Sequence, residues 1–328
     1  MKRVPWKACC APRSLAAILA LSTVSLSAHA LVIVPSFGVG VTASAQAAFN
    51  FAAAEFQSLY TDPVTLHINV AAGTTGLGGS STSLQFATPA TYAKVRTDLI
   101  ADQLAHPSAA GAVSIGPGGS LFTVVDPTGG GVFLYSFAQA KALGQRAASD
   151  PAVDGTFTYN ATLAYTFDPL HRGTGGFDFI GVAEHEISEI MGRIPGLGAD
   201  FCSPSCAPDY LAYDLFRFSA PGTRGLTDGS GIYFSINNGS TNLHGYNFAA
   251  GGGSDPQDWD ASQPTDPFNA FTGPNQAHAI SAEDITAMDV IGWDRAAAVV
   301  VPEPETFGLV LAGLFAVGVA RWRTRAST

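Results

Sequence analysis

The feature that most restricts how this chain can fold is a cluster of charged side chains inside an apolar segment. Residues 178–193 read Asp-Phe-Ile-Gly-Val-Ala-Glu-His-Glu-Ile-Ser-Glu-Ile-Met-Gly-Arg and contain three of the chain's seven glutamates. The length and apolar spacing of this segment predict a helix. In that helix His185 and Glu189 lie one turn apart on the same face, and Glu186 projects about 100° further round the axis.

Two interpretations of this helix are open. A histidine and a carboxylate four residues apart can bind one metal ion, with Glu186 close enough to reach a water on that ion. This is the geometry of the His-Glu-x-x-His helix of zinc peptidases, with a glutamate in the second ligand position. The alternative is a solvent-exposed charged face, because His-Glu-x-x-Glu is by itself a weak pattern. Spacing alone leaves both open.

The N-terminal residues 1–30 have the layout of a secretory signal peptide. Basic residues, among them Lys2 and Arg3, precede an apolar stretch over 14–26, and Ala28 and Ala30 supply the small side chains of a cleavage site. The alternative is an N-terminal anchor helix. The short stretch and its cleavage-like end favour the signal peptide, and we therefore predict export through the inner membrane.

The C-terminal residues 301–328 carry a second targeting pattern. Residues 301–305 read Val-Pro-Glu-Pro-Glu, an apolar run follows over 307–320, and arginines at 321, 323 and 325 end it. This arrangement resembles the PEP-CTERM sorting signal of Gram-negative bacteria. The resemblance implies recognition by an exosortase, removal of the short transmembrane helix, transient contact with the inner membrane, and a final place at the cell surface or in the extracellular matrix. A plain C-terminal anchor is the alternative.

Between these segments, residues 31–294 are predicted to form one domain, with an N-terminal lobe of about 31–193 and a C-terminal lobe of about 194–294. Only 13% of the residues are charged and the net charge is -10, which argues against nucleic acid as the partner. In an exported chain, Cys202 and Cys206 are expected to form a local disulfide.

The hydrophobic pattern of the domain predicts a mixed α+β fold. Helices are expected at 45–60, 90–104, 137–145, 178–193 and 281–290, the last with Ser281 and Asp284 as a capping box. Strands are expected at 64–70, within 156–167, at 212–219 and at 231–237. The segments 73–83 and 108–131, rich in small residues, are expected to be loops.

Several segments together carry a family resemblance. Residues 179–193 resemble the active-site helix of a family of PEP-CTERM-tagged bacterial proteins identified as metalloproteases, and further matches follow in order at 213–219, 233–239, 258–259 and 281–293. The resemblance spans about residues 45–294. Because that family is similar to metzincin-like zincins, it implies a twisted sheet with an active-site helix, a loop-rich C-terminal lobe, and a zinc-dependent metallopeptidase that acts on peptide or protein substrates.

The resemblance implies roles for the residues of the helix. His185 and Glu189 would bind Zn²⁺, Glu186 would be the general base, and Gly192 would let the chain turn away after the helix. Pro195, at the usual third-ligand spacing, cannot bind a metal. Asp258 is therefore the candidate third ligand, since carboxylate is an accepted zinc ligand; the alternative is that it caps a turn.

The remaining candidates are weaker. His244 is the second choice for the third ligand, with an exposed loop histidine as its alternative, and His171 and His278 follow it. Asp178 is expected to cap the helix N-terminus. Phe268 would occupy the place of the methionine under the metal of metzincins. A non-catalytic surface or matrix protein that retains the fold is the competing function, whereas a serine hydrolase is disfavoured because no Gly-x-Ser-x-Gly elbow occurs.

Overall fold

The computed structural model describes residues 31–201, 208–248 and 255–296, and within them the chain is a mixed α+β structure, as predicted. Outside the described residues lie the segments predicted to be targeting signals, 1–30 and 301–328, and the predicted disulfide of Cys202 and Cys206. The helices are α1 (Ala43–Leu59), α2 (Tyr92–Ala105), α3 (Ala109–Ile115), α4 (Phe137–Ala142), α5 (Phe179–Ile190) and α6 (Ala282–Val290). The strands are β1 (Val32–Phe37), β2 (Thr65–Gly73), β3 (Gly78–Thr82), β4 (Val132–Leu134), β5 (Gly155–Asn160), β6 (Tyr165–Thr166), β7 (Phe177–Asp178), β8 (Asp209–Leu211), β9 (Arg217–Ala220), β10 (Thr223–Arg224), β11 (Tyr233–Phe234) and β12 (His244–Gly245).

A four-stranded sheet in the order β1-β2-β5-β3 organises the first part of the chain. Strands β1, β2 and β5 run parallel, and β3 pairs antiparallel with β5 at the edge. Pro35 lies in β1, the strand at the opposite edge of the sheet. Proline has no backbone N–H to donate, and on the open side of an edge strand this removes no hydrogen bond between strands. Strand β2 alternates, with Leu66, Ile68 and Val70 buried, and it therefore presents one apolar face to the helices.

Helix α1 forms the crossover between β1 and β2 and packs against the sheet and against α5. Thr42 caps its N-terminus by accepting the Ala45 N–H at 3.2 Å. Small alanines alternate with Phe49 and Phe56 on its buried face, so that α5 can approach closely. Phe49 stacks on Phe157 of β5, with ring centroids 5.9 Å apart.

Helix α5 is buried on nearly all sides. Every residue from Phe179 to Ile190 is buried except His185, which is half-buried. The alternative interpretation of this helix as a solvent-exposed charged face is therefore wrong. Its glutamates lie inside the protein, where an ionised carboxylate requires compensating partners. The helix ends at Ile190, and Gly192, with φ of 116°, turns the chain away as expected.

The second part of the chain contains a smaller sheet, in the order β10-β9-β11-β12. Aromatic rings pack together beside it, with Trp259 in contact with Tyr213, Phe234 and Tyr246. Trp259 donates its indole N–H to Asp284 of α6 at 2.7 Å. Ser281 and Asp284 form the predicted capping box of α6.

The two ends of the domain meet. The Thr61 N–H, just after α1, donates to the Asp294 carbonyl at 2.8 Å, and the Ala296 N–H donates to the Leu59 carbonyl at 2.7 Å. The indole of Trp293 donates to the Met191 carbonyl at 3.0 Å. The segment after α6 is thus attached both to α1 and to the C-terminal end of α5.

Three predictions of local structure are wrong. The expected loop 73–83 contains β3, and the expected loop 108–131 contains α3, which Ser108 caps by accepting the Gly111 N–H at 2.8 Å. The predicted strand 212–219 begins as a 3₁₀ helix, Ala212–Phe216. The buried Asp214 carboxylate accepts three backbone N–H groups there, from residues 196, 197 and 211, and this fixes a tight turn in place of an extended chain. Among the described residues, none of the helices combines the length and apolar character needed to cross a membrane.

Candidate metal centre

Three of the predicted site residues converge at one point beside α5. His185 Nε2 lies 3.3 Å from Glu189 Oε1 and 3.4 Å from Asp258 Oδ1. One donor atom from each residue lies within 4.8 Å of the other two. The first two come from one helix face and Asp258 from the loop before Trp259, so the fold brings together residues far apart in sequence.

A hydrogen bond fixes the imidazole of His185. Its Nδ1 lies 2.9 Å from the carbonyl oxygen of Pro267. A carbonyl only accepts, so Nδ1 carries the proton of this bond. Nε2 is then the nitrogen that faces the two carboxylates, and it can offer a lone pair to a metal ion once it has lost its proton. Phe268, the next residue, is fully buried.

The carboxylate of Glu189 is held by two further side chains. Ser80 on β3 donates its hydroxyl to Oε2 at 2.7 Å, and Gln257 donates its amide to Oε1 at 2.7 Å. Thr82 on the same strand donates to the backbone carbonyl of Glu189 at 3.2 Å. The edge strand β3 therefore positions one turn of α5.

Sequence reasoning missed Arg193, which lies at the centre of the charged cluster. Its Nη1 donates to Asp258 Oδ1 at 2.9 Å, and its Nη2 lies 3.8 Å from Glu189 Oε1. The guanidinium is fully buried and stacks over the ring of Phe268, with 4.3 Å from Cζ to the centroid. A basic residue directly after the helix-ending Gly192 was the only signal in the sequence.

These neighbours shift the pKa values of the cluster. Burial would lower the pKa of His185, but the charge of Asp258 together with the hydrogen bond and charge of Glu189 outweighs it, and the pKa rises to about 10. Burial would raise the pKa of Glu189, yet the hydrogen bond and charge of His185, with the charge of Arg193, hold it well below its usual range. Burial raises the pKa of Asp258 to about 6 against the charges of His185 and Arg193. A metal ion must therefore compete with a proton for His185 Nε2.

The separations of the donor atoms suit a small divalent cation. In a tetrahedral site with bonds of about 2.0–2.1 Å, ligand atoms lie about 3.3 Å apart. The observed separations from His185 Nε2 are 3.3 and 3.4 Å. The two carboxylates also carry one more negative charge than Arg193 offsets, so either a protonated His185 or a bound cation balances the site. The donor set could thus hold a divalent cation, with Arg193 as an unusual neighbour.

Glu186 lies beside this cluster on the wall of a cleft. The cleft has a volume of about 340 Å³ and is lined by residues of α5, of the 76–78 turn and of the 266–272 loop, including His185, Glu186 and Asp258. Burial, followed by the charge of Glu189, raises the pKa of Glu186 well above its usual range. Its Oε1 would lie only 3.1 Å from a Cβ at position 78, so the glycine there lets β3 approach the carboxylate.

The other candidate residues lie away from the three donor atoms. His244 is buried and not exposed, and its ring stacks on Trp259 at a centroid distance of 4.8 Å. His278 lines the cleft and lies 2.8 Å from the Thr272 hydroxyl. His171 is exposed and pairs with Asp168 at 2.7 Å. Asp178 caps α5, as predicted, by accepting the Ile180 N–H at 3.1 Å.

Comparisons of the chain with protein-family models, with curated proteins and with solved structures find no match.

Proposed function

We propose that this protein is an exported zinc-dependent metallopeptidase with a zincin-like, metzincin-related fold. The observation that carries the proposal is the convergence of His185, Glu189 and Asp258, with Glu186 beside them in an open cleft. The helix that bears three of these residues lies under the edge strand of a twisted, mainly parallel sheet. This architecture is consistent with the resemblance of residues 179–193 to an active-site helix.

The proposed reaction is hydrolysis of a peptide bond in a peptide or protein substrate. When bound, Zn²⁺ would polarise the scissile carbonyl and acidify a water molecule. Glu186 would take a proton from the attacking water and then deliver it to the leaving amine. The first step requires the ionised carboxylate, whose raised pKa makes it a stronger proton acceptor, and the carboxyl that forms then returns the proton. His185, Glu189 and Asp258 would hold the ion, and Ser80 and Gln257 would orient the Glu189 carboxylate.

The proposed location follows from the two ends of the sequence. Residues 1–30 would direct export, and 301–328 would be recognised by an exosortase at the inner membrane. The mature domain would then remain at the cell surface or in the extracellular matrix, where it would meet its substrates.

One observation favours a second function, that of a non-catalytic surface or matrix protein. Arg193 and a protonated His185 can together neutralise Glu189 and Asp258, which would make the cluster a buried ion-pair network. Such networks fix a fold and need no metal. The two functions therefore differ in whether the cluster binds an ion.

Metal analysis and peptide cleavage by the purified protein test the proposal. We expect about one zinc ion bound through this cluster, casein cleavage that a chelator stops, and loss of cleavage in Glu186→Gln with the zinc content retained. Ala substitution of the partly exposed Glu283 on α6 serves as the control and should change neither the zinc content nor the cleavage. Full cleavage by Glu186→Gln would exclude this mechanism, and a protein without bound zinc or cleavage would establish the ion-pair network.

A further inference from the structure

A second group of metal-binding side chains lies at the C-terminal end of α2. Asp102 is in the last turn of this helix, His106 is its C-cap residue, and Asp294 lies on the segment after α6. His106 Nδ1 is 2.7 Å from Asp294 Oδ2 and 3.9 Å from Asp102 Oδ1. One donor atom from each of the three residues lies within 4.8 Å of the others.

Asp102 provides a separate indication that a ligand belongs here. Its side chain is 7% exposed, and its Oδ2 has no hydrogen-bond partner among the described residues. A buried carboxylate oxygen without a partner is destabilising, because it has lost its hydration and gained nothing in return. A cation between Asp102 and Asp294 would supply the missing partner.

The surroundings are negative as well. Asp62 accepts the Asp294 N–H with its Oδ2 at 2.8 Å, which brings a third, buried carboxylate to the same place. The C-terminal end of α2 adds the negative end of a helix dipole. An imidazole at this point offsets these charges only when it is protonated, whereas a divalent cation would do so at any pH at which the ligands are free.

We propose that Asp102, His106 and Asp294 bind a divalent transition-metal ion. Mixed imidazole and carboxylate donors are typical of Zn²⁺ and its neighbours, whereas Ca²⁺ takes oxygen ligands alone. Binding requires the 2.7 Å contact between His106 and Asp294 to open to about 3.3 Å, the ligand spacing of a tetrahedral site. His106 can move in this way because its side chain is 56% exposed.

The ion would connect two parts of the fold. Asp102 lies in α2 and His106 is its C-cap, whereas Asp294 lies in the segment after α6. In that segment the Asp294 carbonyl accepts the Thr61 N–H, and the neighbouring Trp293 donates to the Met191 carbonyl. The site would thus fasten the C-terminal end of the domain to α2. It is separate from the cluster of His185, Glu189 and Asp258 and does not depend on the activity proposed for that cluster.

Zinc binding by the full chain tests the proposal. The chelator-treated protein is titrated with Zn²⁺, and bound metal, calorimetric affinity and thermal unfolding are measured. We expect His106→Gln and Asp102→Asn each to remove one bound ion, or to weaken its binding by more than about tenfold, and to remove part of the zinc-dependent rise in Tm. His171→Gln is the matched control, since His171 and Asp168 form an exposed pair at the same 2.7 Å distance, and it should change neither.

The variant Glu189→Gln separates the two sites. In Glu189→Gln, one ion should still bind at Asp102, His106 and Asp294. The double variant, which carries both Glu189→Gln and His106→Gln, should lose that ion. Unchanged zinc binding in both His106→Gln and Asp102→Asn would overturn the proposal. Loss in His106→Gln without loss in Asp102→Asn would overturn it too, because it would indicate an ordinary surface histidine. Binding of Ca²⁺ in preference to Zn²⁺ would contradict the proposed class of metal.

Discussion

At the scale of single residues, Arg193 sets the charge balance of the cluster. It donates to Asp258 and lies near Glu189, and it is buried completely, so water cannot replace it. In a zinc-bound site it would withdraw electron density from the Asp258 carboxylate and weaken it as a ligand. In a site without an ion it acts with a protonated His185 to keep the two buried carboxylates ionised.

Arg193→Gln tests this role. In the presence of a chelator we expect a loss of about 3–5 kcal/mol in the free energy of unfolding, because two buried carboxylates lose their cation. Added Zn²⁺ should restore part of the loss, since the ion would take over the compensation. Urea unfolding with and without Zn²⁺ measures both effects.

Arg146→Gln is the control for this change. Arg146 pairs with Asp150 at 3.2 Å in a partly exposed position, and such pairs contribute at most about 1 kcal/mol. An equal loss in the two variants would show that Arg193 is not special to the cluster.

At the scale of elements, the edge strand β3 places α5. Its sequence, Gly-Gly-Ser-Ser-Thr, contains a single β-branched residue, Thr82, and no aromatic one, so it carries little of the side-chain pattern that identifies a strand. The strand forms because β5 offers it a hydrogen-bonding edge, and small residues are needed because α5 lies directly against it. The sequence signal was therefore that of a loop, although the element supports Glu189 through Ser80 and Thr82.

Gly78→Ala tests the closeness of this contact. A Cβ at position 78 would lie 2.5 Å from Val182 Cγ1 and 3.1 Å from Glu186 Oε1, so α5 or β3 must shift. We expect a loss of about 1–3 kcal/mol in stability and a larger proportional loss of peptide cleavage. Gly79→Ala, whose Cβ would meet nothing within 4 Å, is the matched control; similar behaviour of the two variants would argue against a tight contact.

Asp178, at the N-terminal end of α5, makes the free energy of unfolding depend on pH in the acidic range. Burial would raise the pKa of Asp178, but the hydrogen bond from His278 and the charge of Arg172 outweigh it, and the pKa lies below its usual range. Because the pKa of Asp178 is lower in the folded protein than the value near 3.8 of the unfolded chain, its carboxylate stabilises the fold fully above that unfolded pKa. This stabilisation is lost as the pH falls through the pKa of the folded protein.

We expect Asp178→Asn to be less stable than the wild type at pH 7 by about 1.5–3 kcal/mol, the contribution of a hydrogen bond to a charged group, because Asn still caps the helix but no longer pairs with the Arg172 guanidinium. The difference should shrink on acidification below pH 4, because the wild-type carboxylate then becomes protonated and loses its charge. Chemical unfolding from pH 3 to pH 7 measures it. A difference that stays constant over this range would show that the charge of Asp178 contributes nothing.

At the scale of the whole molecule, the sequence predicted the main helices, the α+β class and the group of residues that meet at α5. The apolar periodicity that identifies α1, α5 and α6 is local, and the resemblance placed Asp258 near His185 through its position before Trp259. Arg193, β3 and the 3₁₀ turn at Asp214 could not be predicted in the same way. Each depends on a partner far away in sequence, such as Asp258 for Arg193 and Gly196 for Asp214, and single-segment patterns carry no information about such partners.

Metal removal should act on the stability of the whole domain, since the three donor residues belong to both of its parts. An ion whose free concentration is about 100 times its Kd adds about 2.7 kcal/mol to the free energy of unfolding. We therefore expect a chelator to lower Tm in the wild type and to lower it less in Glu189→Gln, which can be followed by scanning calorimetry. An equal decrease in both proteins would place the responsible ion elsewhere.

The meeting of the two ends of the domain has a consequence for how the chain reaches its folded state. Thr61 and Asp294 are bonded across 233 residues, and Trp293 must be in place before the Met191 carbonyl at the end of α5 has its partner. Contacts of such long sequence separation form late, since the loop they close is costly in entropy. During synthesis, α1 and the parallel strands can therefore assemble early, whereas the C-terminal end of α5 becomes fixed only after residues 293–296 have emerged.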